Sequence, residues 1–175
     1  MAGFRESTKS FWLGNTAGDG GFSFSCTFGA ATGAATTTHR LFVGMSTSTA
    51  APTDVNPSSL TNIIGLGYDS ADSNLQIMRN DGTGTATKID LGSNFAIPVT
   101  DRTNMYRLDL YAAPNSIVIY YKVTNLVTGN IATGDFSTDI PATNTLMSAR
   151  GWMSVGGTSS VIGLKVSNIE VDSIK

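Results

Sequence analysis

The sequence predicts an all-β domain in which two antiparallel sheets pack face to face, and three observations predict it. Apolar and polar residues alternate with a period of two through most of the 175 residues, the periodicity of strands that bury one face. Gly, Asn, Asp or Pro interrupts the runs roughly every ten residues, the spacing of a sandwich or barrel. Charged residues make up only 14% of the chain while glycine alone supplies 19 residues, whereas a helix-rich domain would carry more Glu, Lys and Leu.

In chain order the alternation places strands at 9–13, 21–28, 40–46, 63–68, 74–79, 85–91, 105–112, 116–125, 130–137, 152–155 and 161–172. That number fills two sheets of one domain spanning 1–175, with residues 1–8 expected to be linker. In the second run Phe22, Phe24, Cys26 and Phe28 share a face, so Cys26 is expected in the core as a small apolar residue and not as a reactive thiol. As the only cysteine, it also excludes an internal disulfide and a thiolate zinc site. The small, polar stretch 29–38 has nothing to bury and is expected to be a surface loop, although its composition would also suit a flexible linker. Residues 48–60 carry Pro52 and Pro57, and their end, from Pro57 to Leu60, can open one short helical turn.

Turn chemistry supports the boundaries. Asn80-Asp81-Gly82-Thr83-Gly84 and Ala113-Pro114-Asn115-Ser116 carry the Gly, Asn and Pro of antiparallel hairpins. A third reversal at 125–130 makes 63–137 a meander, expected to lie in one sheet. From 116 onward, Ile117, Ile119, Tyr121 and Val123 share one face. Val118 and Tyr120 then stand beside Lys122 on the other, either the outside of a sheet or a subunit contact. Farther on, Met153 and Val155 form the core pair, which turns Trp152 and Ser154 outward.

Several function classes are excluded by what is missing. A net charge of −2 with no cluster of Lys and Arg gives no nucleic-acid footprint. No apolar run reaches the roughly 20 residues of a bilayer span, and Met1–Glu6 lacks a signal peptide's basic-then-apolar order. A soluble, unprocessed chain without membrane insertion is expected. Glycoside hydrolysis needs two carboxylates flanking the scissile bond, yet the only glutamates, Glu6 and Glu170, lie at opposite ends of the chain. Asp135 and Asp139 are expected to be solvated turn residues. His39, the sole histidine, is expected to be a partly exposed strand-end residue, since no Gly-x-Ser-x-Gly elbow accompanies it. The glycine strings 82–84 and 156–160 lack a Gly-Lys-Ser/Thr ending and are turns. No catalytic residue is therefore assigned.

The segments 40–45, 62–69 and 74–82, with the later 156–164 and 168–172, resemble lectin-like domains of tailed-bacteriophage fibres and other virion proteins. The resemblance implies a concanavalin A-like jelly-roll sandwich, its first and last strands adjacent in one sheet. It implies a non-enzymatic domain on the surface of a phage particle, tail or capsid, assembled as a homotrimer with other virion proteins and contacting host-surface glycan. A structural role, as capsid decoration, head fibre or tail spacer without glycan affinity, is the alternative; a polysaccharide depolymerase is a second one.

Candidate binding residues follow from exposure and hydrogen-bonding chemistry. Trp152 and the tyrosines, Tyr68 among them, offer flat faces that stack on sugar rings or anchor a partner. Asp72, Asn74, Gln76 and Arg79 could hydrogen-bond sugar hydroxyls around the turn at 69–74. Asp69, Asp72 and Asn74 also place three oxygen-bearing side chains in one loop, a candidate for Ca2+ without EF-hand spacing; otherwise no cofactor or metal is expected.

Overall fold

A computed structural model describes residues 1–32, 38–99, 104–157, 161 and 163–174. Among them are strands β1 (Ala2–Arg5), β2 (Phe22–Thr32), β3 (Arg40–Ser46), β4 (Ile63–Tyr68), β5 (Gln76–Asn80), β6 (Thr87–Asp90), β7 (Met105–Ala112), β8 (Ile119–Asn125), β9 (Ile131–Phe136), β10 (Ser148–Ser154) and β11 (Gly163–Ser173). They form a six-stranded sheet in the order β1-β10-β3-β4-β5-β6 and a five-stranded sheet in the order β11-β2-β7-β8-β9. All pairings are antiparallel. The predicted two-sheet jelly-roll sandwich is the fold of the chain.

The core is what alternation dictates. Phe22, Phe24, Cys26 and Phe28 of β2 meet Leu41, Val43 and Met45 of β3 and Ile64, Leu66 and Tyr68 of β4 in one cluster between the sheets. Each large apolar side chain buried there stabilises the fold by about 1.5–3 kcal/mol relative to exposure. Cys26 is fully buried, and burial pushes its thiol up to about 12, so it stays protonated and unreactive.

The strands at 40–46, 63–68 and 105–112 match the sequence expectation to the residue, and the short helical turn expected from Pro57 to Leu60 is a 3-10 turn at Pro57–Ser59. Other expectations change. The 63–137 meander is split: β4 to β6 lie in one sheet and β7 to β9 in the other. Turn chemistry identifies hairpins, and all three expected reversals are present, with positive φ at Gly84, Asn115 and Gly129. The change of sheet falls in the longer, Pro98-containing connection after β6, which no hairpin signal covers. The region 1–8, expected to be linker, contains β1, which pairs with β10. The expected strand at 9–13 is reduced to one bridge between Phe11 and Met147. First and last strands lie in different sheets, because β1 pairs with β10 and β11 with β2. Residues 29–32 extend β2 instead of starting a loop, and 33–37 lie outside the described residues, as do 158–160 and 162 of the 156–164 segment. β10 begins at Ser148, four residues earlier than alternation suggested, because Ala149 and Gly151 are too small to mark the inward face. Ile117 precedes β8 and is 55% exposed. His39 is buried, not partly exposed, and burial lowers its pKa.

Strand register also defines the outer face of each sheet. On the six-stranded sheet one row runs Gly3, Trp152, Phe42, Gly67, Gln76 and Asp90, and the next runs Arg5, Arg150, Gly44, Gly65, Met78 and Lys88. Glycine at 65 lets the Phe42 ring lie against the sheet, since a Cβ there would stand 2.9 Å from the ring and 2.4 Å from the Val43 carbonyl oxygen. The segment between β3 and β4 folds over this face. Leu60 packs on a second apolar cluster of Phe42, Ile63, Met78, Ala86 and Trp152, outside the main core. Backbone bonds from Ala86 N to Ser58 O (2.8 Å) and side-chain bonds from Asn80 Nδ2 to Leu60 O (2.7 Å) and from Arg40 Nε to Asn56 Oδ1 (2.7 Å) fasten the cover.

Candidate functional site

Among the described residues, nothing covers the outer face of the five-stranded sheet in this way. β7 alternates between buried and exposed residues along its whole length, so while Tyr106, Leu108 and Leu110 enter the core, Arg107, Asp109 and Tyr111 point away from it. β8 does the same with Tyr120 and Lys122, β2 with Ser23 and Ser25, and β11 with Glu170 and Asp172. Pairing sets these side chains in two rows, Asp172-Ser23-Tyr111-Tyr120-Asp135 and Glu170-Ser25-Asp109-Lys122-Thr133.

The rows line a trough of about 360 Å³. At one side stand Tyr111 and Tyr120, directly paired across the strands, 43% and 51% exposed, with ring centroids 6.4 Å apart and planes inclined at 37°. Toward the other side lie Asp109, Glu170 and Asp172 with Ser25, whose buried Oγ has no hydrogen-bond partner. Asp109 is held in place by Arg107, whose Nε donates to Oδ1 at 2.8 Å. Two open aromatic faces beside carboxylates and a cation make a surface that can stack an amphipathic ring and hydrogen-bond its substituents.

The sequence-derived candidates are dispersed. Trp152 points away from the main core, as alternation required, but is 1% exposed because the 48–60 segment covers it. Tyr68 lies in the core between the sheets, where burial raises its hydroxyl pKa far above the ordinary range. Gln76 is buried and donates to the Asn74 carbonyl at 3.3 Å. Arg79 takes the inward side of β5, its guanidinium 5.0 Å from the Phe136 ring centroid and its Nε donating to Thr138 O at 2.9 Å. Trp152 and Gln76 share a row but stand three strands apart, ~14 Å at about 4.8 Å per strand.

Asp69 and Asp72 converge, on a cation supplied by the chain. Lys88 Nζ lies 3.2 Å from Asp69 Oδ2 and 2.6 Å from Asp72 Oδ2. Burial alone would lower the Lys88 pKa, but the bonds to Asp72 and Asp69 outweigh it and raise it. Asn74, the third candidate calcium ligand, donates instead to Asp90 at 3.1 Å. Asp135 is exposed at the end of β9, whereas Asp139, expected to be a solvated turn residue, accepts the Asp81 and Thr87 amides at 3.1 and 3.0 Å. It fastens the β5–β6 hairpin.

Sequence reasoning placed Tyr120 and Lys122 outward but did not assign the trough. Its signal was present: Arg107, Asp109 and Tyr111 occupy the odd positions of a run whose even positions are apolar. What alternation could not supply was the β7–β8 and β2–β11 pairing that sets these residues side by side.

No family model matches the sequence, and no curated protein matches it. Solved structures share the fold. Lectin II from Ulex europaeus superposes with a TM-score of 0.62 at 10% identity, covering 97% of this chain and 80% of the lectin. Peanut lectin in complex with a 9mer peptide gives 0.55 at 12% identity over 94% and 78%, and the alginate lyase from Klebsiella pneumoniae gives 0.51 at 8% over 87% and 59%. At these identities the likeness establishes the sandwich and nothing finer, and the fold serves binding proteins and enzymes alike.

Proposed function

We propose that this domain is a non-catalytic carbohydrate-binding module and that the sugar lies in the trough on the five-stranded sheet. The observation that carries the reading is the exposed Tyr111–Tyr120 pair beside Asp109, Glu170 and Asp172. Large aromatic surface left open at the centre of a sheet is a mark of a contact site. The C–H face of a pyranose stacks on such rings while its hydroxyls donate to the carboxylates. The lectin-type sandwich supports the same reading at the level of fold.

The proposal extends to context through the fibre-like segments: a domain on a phage particle, trimeric, recognising host-surface glycan. A glycan array and whole-cell adsorption with the full chain test the binding. Retention on a defined set of glycans, without release of reducing ends, is expected. Absence of binding to every glycan and strain tried would refute the reading, and release of reducing ends would make the protein a depolymerase. Light scattering tests the assembly, with a trimer mass expected; a monomer would remove the fibre setting while leaving the trough.

A further inference from the structure

On the opposite sheet, the covering segment leaves a cavity of about 220 Å³ above β10 and β3. Arg150 and Trp152 line it, and each carries a buried donor that has no acceptor. Arg150 is 3% exposed; its Nη1 and Nη2 donate to the carbonyls of Ser48 (2.9 Å) and Ala50 (3.4 Å), while its Nε has no partner. Trp152 is 1% exposed, and its indole N–H also has no partner. A buried polar group left without a partner typically costs 1–3 kcal/mol, more when charged.

The charge is uncompensated as well. Arg5 sits directly opposite Arg150 in the β1–β10 register and donates to the Thr49 carbonyl at 3.0 Å. Among the described residues neither arginine forms an ion pair. Glu6, next in the chain, turns its carboxylate to the Ala149 amide at 2.7 Å. Burial first, and the charge of Arg5 second, disfavour the Arg150 cation, yet a guanidinium does not deprotonate in a protein. A buried cation without a counter-charge is the arrangement that proteins avoid unless something else supplies the charge.

We propose that this cavity is a second binding site and that it takes the carboxylate of a small acidic sugar. A carboxylate is an acceptor-only group with two oxygens, the complement of an unsatisfied guanidinium N–H and an unsatisfied indole N–H, beside the second positive charge that Arg5 sets opposite Arg150 on the neighbouring strand. The remaining wall suits the body of a sugar more than a bare ion: Leu60 and Trp152 give apolar surface, and Thr47, Thr53 and Thr61 give hydroxyls. The volume admits one such unit and not a chain. This site does not depend on the trough, from which both sheets separate it.

The test is a calorimetric titration of the full chain with glucuronate, glucose and sulfate. Saturable glucuronate binding is expected, with glucose and sulfate at least tenfold weaker. Trp152→Phe, which keeps the ring and removes the donor, should weaken glucuronate binding about tenfold. Arg5→Gln, at an exposed position where the amide can still donate to the Thr49 carbonyl, should weaken it several-fold, and Tyr111→Ala with Tyr120→Ala should leave it unchanged. Sulfate binding as tight as glucuronate would overturn the acidic-sugar assignment. No glucuronate binding, or binding lost only in the tyrosine variants, would overturn the site.

Discussion

The two outer faces of this sandwich are built by the same strand alternation and have opposite fates. On the six-stranded sheet the outward residues Phe42, Ile63, Met78 and Trp152 are apolar, and the segment between β3 and β4 seals them with Leu60. On the five-stranded sheet the outward residues are Ser, Asp, Arg, Lys and Tyr, and nothing among the described residues lies over them. Outward from the core is therefore a statement about strand parity, and exposure is a separate one decided by whether a loop returns. A covered face adds stability through burial; an open face carrying paired tyrosines keeps that apolar area available for a ligand.

This contrast can be broken from the covered side first. Trp152→Ala or Phe42→Ala is expected to cost about 3–5 kcal/mol, the range for deleting a buried large aromatic, read as a lower midpoint in urea unfolding. A loss under about 1 kcal/mol would mean that the face is not sealed in solution. Gly65→Ala is expected to cost about 1–3 kcal/mol by overpacking, because the added methyl meets the Val43 carbonyl and the Phe42 ring; an unchanged midpoint would show that Phe42 does not lie there.

A smaller effect should come from the carboxylate that fastens the β5–β6 edge of the covered sheet. Burial alone would raise the Asp139 pKa, but bonds from Thr87 and Asp81 and the charge of Arg79 outweigh it and hold the group below 3.8. A depressed carboxylate contributes stability above its unfolded pKa and loses it as pH falls through the folded one. Unfolding midpoints measured downward from pH 5 should therefore fall below about pH 4, and Asp139→Asn should flatten that part of the profile. The smallest stability change belongs to the open face: Tyr111→Ala and Tyr120→Ala should each shift stability by about 0.5 kcal/mol or less, as surface substitutions do, while removing glycan binding.

How far the sequence revealed this follows from the same contrast. Alternation through 40–46, 63–68 and 105–112 located strands to the residue, since each keeps apolar residues on its inward face. It failed at β1, too short to show a period, and at Ser148–Gly151, where the inward residues are Ala and Gly. The grouping of strands into sheets was not legible, because hairpin turns report only neighbouring strands. Trp152 shows the limit for the site: its parity was right, yet its burial depends on Leu60, 92 positions earlier in the chain. Tyr111 and Tyr120 were individually visible, but their pairing is a tertiary fact.

The central claim is that the open face binds neutral glycan and that the cavity on the covered face does not carry that activity. It is tested most directly by titrating the Tyr111→Ala, Tyr120→Ala double variant with a neutral glycan retained by the unaltered chain, after its unfolding midpoint has been checked. The account expects a near-unchanged midpoint and at least a hundredfold loss of affinity. Undiminished affinity in the folded double variant would contradict it.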